Sequence, residues 1–264
     1  MENIEFRKGA IDASACIGEG WNFIKSNYWL FVGMIVVETI IVIAANFVPY
    51  AGDLINTIVG GALICGIYIA LLAQRRGENV PFSLMFEGFS RVVPATLVQI
   101  ISAIPLILLG LAAVSFISMP PTLAPDGSNI AEVQAAIFNR SFLVPAIISG
   151  LVALLISIIT NLLLFFALPL VADRDAPVGE ALRLSVAAGL NNIGGLIVLF
   201  IFEGLLAIAG ALACGVGIIF VLPVIYAANI AAYKRVFPDE NPQSNSEPPR
   251  PEDYNGGTYG TPQQ

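Results

Sequence analysis

Long apolar stretches alternate with short polar ones along this chain, and the apolar stretches have the length of a bilayer crossing. A helix rises about 1.5 Å per residue, so about 20 residues cover a hydrocarbon core about 30 Å thick. Residues 28–48, 54–73, 92–117 and 142–171 each supply such a run. Residues 193–233 form one run about twice as long, with one acid and no base. Glycines 210, 215 and 217 divide it, which predicts two crossings, 193–212 and 215–233, joined by a tight turn. The expected architecture is all-α: a polytopic membrane bundle of about six transmembrane helices in three hairpins.

A second pattern precedes the spans. Ile17, Trp21, Ile24 and Tyr28 recur at helical spacing, with Asp12, Glu19, Asn22 and Lys25 elsewhere on the surface. Phe82, Phe86, Phe89 and Val93 repeat the spacing before the third span, and residues 178–190 form a less regular version before the fifth. Short amphipathic helices that feed into spans lie at the membrane interface. Trp21, Ile24, Phe82, Phe86 and Phe89 are therefore the candidate interfacial anchors.

The junctions repeat too: Leu72-Ala73-Gln74-Arg75 before Val80-Pro81 matches Val171-Ala172-Asp173-Arg174 before Ala176-Pro177. Two explanations fit, a threefold parallel repeat of interfacial helix plus hairpin, or the general likeness of membrane junctions. The organisation expected is an N-terminal segment 1–27 with its amphipathic helix, a membrane domain 28–233, and a tail 234–264. The tail is rich in proline and acids and nearly free of aliphatic side chains, so it cannot offset its own ordering entropy. The stretch 118–141 reads as an outer loop, with 130–138 as a short helix within it.

Charge orients the bundle. Eleven of the twelve basic residues fall before the first span, between the second and third, between the fourth and fifth, or after the sixth, and Arg140 is the exception. The positive-inside rule then predicts both chain ends in the cytoplasm. Composition agrees with a lipid solvent: 57% of residues are apolar and 12% charged, against about 25% charged in soluble domains. The formal net charge of −7 argues against nucleic acid. The expected partner is the bilayer, with another membrane protein or a second copy of the chain as further candidates. Cys16, Cys65 and Cys214 lie far apart and histidine is absent, so neither a closed zinc site nor a disulfide framework is expected, and no cofactor. No cleavable signal peptide is evident.

Two ionisable residues fall deep inside predicted spans: Glu38 in the first and Glu203 in the fifth. Intramembrane carboxyls are expensive and mark ion, proton or substrate sites by default. The competing explanation is a structural polar contact, with Thr39, Asn46, Gln99, Ser102, Ser157, Thr160, Asn161 or Asn229 as partners. No Walker loop, GxSxG or HExxH is present, so no catalytic residues are assigned and enzymatic activity is not expected. The leading expectation is a non-enzymatic membrane protein that supports envelope organisation or membrane assembly. The alternative is a transporter or channel for a small or lipidic solute that uses Glu38 and Glu203.

Several motifs resemble a known group. They are Gly20-Trp21-x-Phe23 with Lys25-x-Asn27-x-Trp29, Arg76-Gly77-Glu78, Pro81-Phe82, Phe86-Glu87-Gly88-Phe89, Cys214-Gly215-Val216-Gly217, Pro223, and Ala231-Ala232-Tyr233-Lys234-Arg235. Over roughly residues 10–236 the chain is similar to uncharacterised bacterial six-span membrane proteins, including the membrane domain of some glycerophosphodiester phosphodiesterases and the YciC-like proteins. The resemblance implies six spans in a bacterial inner membrane. Those phosphodiesterases carry catalysis on a separate soluble domain, so no catalytic residue transfers.

Overall fold

The computed structural model describes residues 6–49, 51–117, 140–213 and 215–239, and all their side chains except those of 111–117 and 140–146. Regular structure in these residues is entirely helical. Helix α1 (Ala13–Ile24) starts where the Asp12 carboxylate accepts from the Ala15 amide at 3.1 Å and the Ser14 hydroxyl at 2.8 Å. Helix α2 (Tyr28–Asn46) and helix α3 (Gly52–Arg75) form the first hairpin, and α3 contains a π turn over Asn56–Gly60. A 3-10 helix (Phe82–Arg91) runs into α4 (Val92–Ile117). Then come α5 (Arg140–Leu163), α6 (Ala167–Arg174), α7 (Val178–Asn191), α8 (Ile193–Leu212) and α9 (Gly217–Val236).

Six helical stretches are long and apolar enough to cross a membrane, and their outer faces are covered by exposed side chains such as Ile40, Ile107, Leu151, Leu155, Ile201 and Leu205. Water would not tolerate so continuous an apolar surface. This is a multi-pass membrane protein. The glycine-rich division of the last run is present: α8 and α9 are antiparallel neighbours, and a Cβ on Gly217 would stand 2.5 Å from the Gly210 carbonyl oxygen.

The fourth crossing departs from a continuous helix 142–171. It breaks at 164–166, between α5 and α6. Pro169 lacks the N–H that residue 165 would need as a donor, and proline is tolerated in a first turn, so α6 restarts there. The buried Ser185 hydroxyl of α7 spans the gap, accepting from the Phe166 amide at 3.0 Å and donating to the Leu163 carbonyl at 2.8 Å.

The three units close into a ring. The 3-10 helix of the second unit docks on α3 of the first, and α7 of the third unit docks on α5 and α6 of the second. Helix α1 of the first unit docks on α9 of the third. Each dock has a glycine at its tightest point: Gly88 over Ala62 and Gly66, Gly189 over Leu162 and Leu163, Gly20 over Ala227 and Ala228. The first spans follow the same rule, with α4 against α3, α8 against α5 and α2 against α9. The second spans α3, α6 and α9 line the inside, around Leu71, Leu72, Leu170, Val171 and Tyr233.

The first and last described segments meet at one end of this ring. The Arg7 amide donates to the Val236 carbonyl at 2.8 Å, and the Phe6 and Phe237 rings lie 6.1 Å apart. An even number of crossings puts these two segments on the same side of a membrane, which the meeting requires. It also corrects the boundary of the tail, which does not begin at 234. Residues 234–236 complete α9, Phe237 is fully buried, and the chain is held as far as Asp239. The expected helix at 130–138 and the remainder of the tail lie outside the described residues.

Candidate intramembrane polar site

Both intramembrane carboxyls sit on the inward stripes of their helices. Glu38 is three and seven residues beyond Ile35 and Phe31, which are fully buried on α2. Glu203 is four and seven residues beyond Leu199 and Leu196, which are fully buried on α8. Heptad and half-heptad spacing keeps a helical face, so each carboxyl is turned toward the second spans while its neighbours Ile40, Ile201 and Leu205 face outward.

Two tyrosines lie on the neighbouring second spans. Tyr68 of α3 and Tyr226 of α9 meet edge to face with ring centroids 5.6 Å apart. Glu203 acts electrostatically on Tyr68, Glu38 acts on Tyr226, and the Asn229 side chain is the hydrogen-bonding neighbour of Tyr68. Each acid therefore lies within electrostatic range of one member of this tyrosine pair, and the four helices involved belong to the first and last units. The Glu203 Oε1 and Asn229 Oδ1 atoms are buried without a hydrogen-bond partner.

Sequence reading found both acids and named Asn229, but not the tyrosines. Their signal was present: Tyr226, Asn229 and Tyr233 share one face of α9 at i, i+3 and i+7. Two of the other candidate polar partners are engaged elsewhere. Asn46 accepts from Asn56 at 3.1 Å and donates to the Val42 carbonyl, and Asn161 donates to the Ser157 carbonyl of its own helix.

That face of α9 leads from the tyrosine pair to a second polar group at the end where Arg7 meets Val236. The Tyr233 hydroxyl and the Lys234 ammonium both donate to Asp173 Oδ2, at 2.8 and 2.7 Å. Lys234 also pairs with Asp239, which pairs with Arg75 at 3.2 Å. Arg174 donates to the Pro238 carbonyl at 3.0 Å. Partial burial works against the Asp239 carboxylate, yet Lys234 and Arg75 together hold its pKa below the usual value. The three inner spans are thus tied to one another and to the strap 237–239. Further pairs, Arg91 with Asp175 and Arg235 with Glu19, join the helices flanking this end.

Four of the five candidate interfacial anchors are at the surface. Trp21 is 45% exposed, and Phe82, Phe86 and Phe89 are comparable. Ile24 differs: it is fully buried, since the face of α1 that carries it turns inward onto the core. Trp21, Tyr28, Trp29 and Phe220 form a chain of edge contacts, with the Tyr28 hydroxyl donating to the Phe220 carbonyl at 2.6 Å. Cys16 and Cys65 are free and buried, and burial pushes the Cys16 thiol pKa up to about 11.

Comparison with protein-family models, with curated proteins and with solved structures finds no match to this chain.

Proposed function

We propose that the protein passes a small or lipidic solute across a membrane, with Glu38 and Glu203 at the centre of the path. The observation that carries this reading is that both acids lie on the inward stripes of their helices, each within electrostatic range of one ring of the Tyr68–Tyr226 pair. A desolvated acid without a cationic partner is costly to keep. We assign no catalytic role and no cofactor to the chain. On the quoted motifs we place it beside the bacterial six-span proteins named above, in the inner membrane. Arg7, Arg75, Arg76, Arg91, Arg174 and Arg235 gather at the end where α9 finishes beside Arg7, which supports a cytoplasmic position for that end.

The test is reconstitution of the full chain into liposomes, read by uptake and by solid-supported-membrane currents over a panel of small cations, amines, organic anions and amphiphiles. At least one class should give a response that falls at least tenfold in the Glu38→Gln/Glu203→Gln double variant. Silence across the panel, or responses indifferent to that variant, would overturn the reading.

A role in envelope organisation or membrane assembly is the second reading, and the exposed aromatic belt of Trp21, Trp29, Phe82, Phe86 and Phe89 favours it. It predicts that Trp21→Ala or Phe86→Ala abolishes function in cells while Glu38→Gln/Glu203→Gln preserves it.

A further inference from the structure

The three inner spans finish in bases at matching places. Arg75 is the last residue of α3, Arg174 is the last of α6, and Lys234 lies in the last turn of α9. A base at a helix C-terminus offsets the helix dipole, and that role alone would leave each base at its own helix end. Here all three donate to one short strap. Arg75 and Lys234 both pair with the Asp239 carboxylate, Arg75 at 3.2 Å, and Arg174 donates to the Pro238 carbonyl at 3.0 Å.

The strap has a buried end and an open end. Phe237 is fully buried, with its ring 5.4 Å from that of Tyr233 and 5.6 Å from that of Phe166. The Asp239 side chain is 55% exposed. Lys234 holds Asp173 as a second carboxylate at 2.7 Å, almost out of reach of water. A swing of residues 238–239 would therefore uncover the three bases and leave the Lys234–Asp173 pair intact.

What the strap supplies is modest for three cationic donors. One negative charge serves Arg75 and Lys234, and Arg174 receives a neutral carbonyl oxygen. A phosphate group offers about −1.5 to −2 charges near pH 7 and three acceptor oxygens. Guanidinium forks match pairs of such oxygens, and an ammonium adds a compact point charge.

We propose that Arg75, Arg174 and Lys234 form a binding site for a phosphate group, carried by a soluble phosphate or by a lipid headgroup, and that Asp239 is its built-in competitor. The site stands independently of the Glu38–Glu203 path.

The test uses the full chain in phosphatidylcholine nanodiscs at pH 7.5, with chloride as the background anion and binding of radioactive inorganic phosphate as the readout. Asp239→Asn should bind saturably and about tenfold more tightly than the unaltered chain, because the internal competitor is gone. In that background Arg75→Gln and Arg174→Gln should each weaken binding about tenfold. Arg235→Gln, whose guanidinium pairs with Glu19 instead, should leave it unchanged. Should one of the first two fail to fold, the other decides. A second arm extracts the Asp239→Asn chain from vesicles with equal phosphatidic acid and phosphatidylserine and counts retained lipids by native mass spectrometry. Preference for phosphatidic acid that Arg75→Gln abolishes, without binding of inorganic phosphate, assigns the ligand to a lipid headgroup. Binding of inorganic phosphate without that preference assigns it to a soluble phosphate. Phosphate binding that Asp239→Asn fails to tighten would overturn the proposal. So would an absence of selective binding in both arms, or binding indifferent to Arg75→Gln and Arg174→Gln.

Discussion

Gly20 of α1 lies so close to Ala228 of α9 that a Cβ on the glycine would stand 2.7 Å from the Ala228 amide nitrogen. Gly18, two residues earlier on the same helix, faces open space. Gly20→Ala should therefore destabilise by about 1–3 kcal/mol through overpacking against backbone. Gly18→Ala should stabilise by about 0.5–1 kcal/mol, because alanine loses less freedom in a helix. Thermal unfolding in detergent measures both, and equal effects would contradict the dock.

The same dock governs Cys16. With its thiol pKa near 11 and its side chain buried under α9, it should react slowly with maleimide at pH 7.5. In a background lacking Cys65 and Cys214, Gly20→Ala should speed labelling at least tenfold by releasing α1. The sign with pH follows. Above about pH 9 the unfolded thiol ionises and the folded one does not, so stability falls between about pH 9 and 11.

Ser185 bridges the break between α5 and α6 with both of its hydrogen-bonding functions. Ser185→Ala leaves the Phe166 amide and the Leu163 carbonyl unmet in the core and should cost about 1–3 kcal/mol. Chemical denaturation followed by circular dichroism reads this. A neutral result would mean that the break is held by Pro169 alone.

Lys234 and Asp173 are both nearly inaccessible, with side chains 3% and 9% exposed. Asp173→Asn leaves the buried ammonium with Asp239 as its remaining carboxylate and should destabilise by about 1–3 kcal/mol, whereas Lys234→Met/Asp173→Asn should recover part of the loss. A double-mutant cycle without coupling would show that the pair is not formed.

Asp239 supplies an acid-sensitive contact. Its folded pKa is below the ordinary value of 3.8, so its contribution is complete above that pH and lost as pH falls through the folded value. Hydrogen exchange at the Phe237 amide, corrected for intrinsic rates, should stay slow at pH 6 and accelerate below about pH 4. In Asp239→Asn it should be fast at both.

Much of this molecule can be read from its one-dimensional pattern because lipid enforces length. A run of about 20 apolar residues has few alternatives, so 28–48, 92–117 and 193–212 closely match helices in the structure. The broken fourth span was harder, since its cause combines Pro169 with a serine on another helix. The docking helices were legible as amphipathic, but nothing local says that Gly88 meets Gly66 or that Ile24 turns inward. Glu38 and Glu203 stood out by charge, while Tyr68 and Tyr226 were indistinguishable from ordinary core aromatics until packing placed them together.

Ring closure through α1 has a consequence for biogenesis. Helix α1 completes its packing only on α9, which is made after every span between them, so the Gly20 seat stays vacant while those spans are synthesised. Translation order and assembly order are thus opposed at one interface. A nascent chain stalled before Gly217 should leave α1 loose at the membrane surface, open to proteases or chaperones, until α9 is inserted.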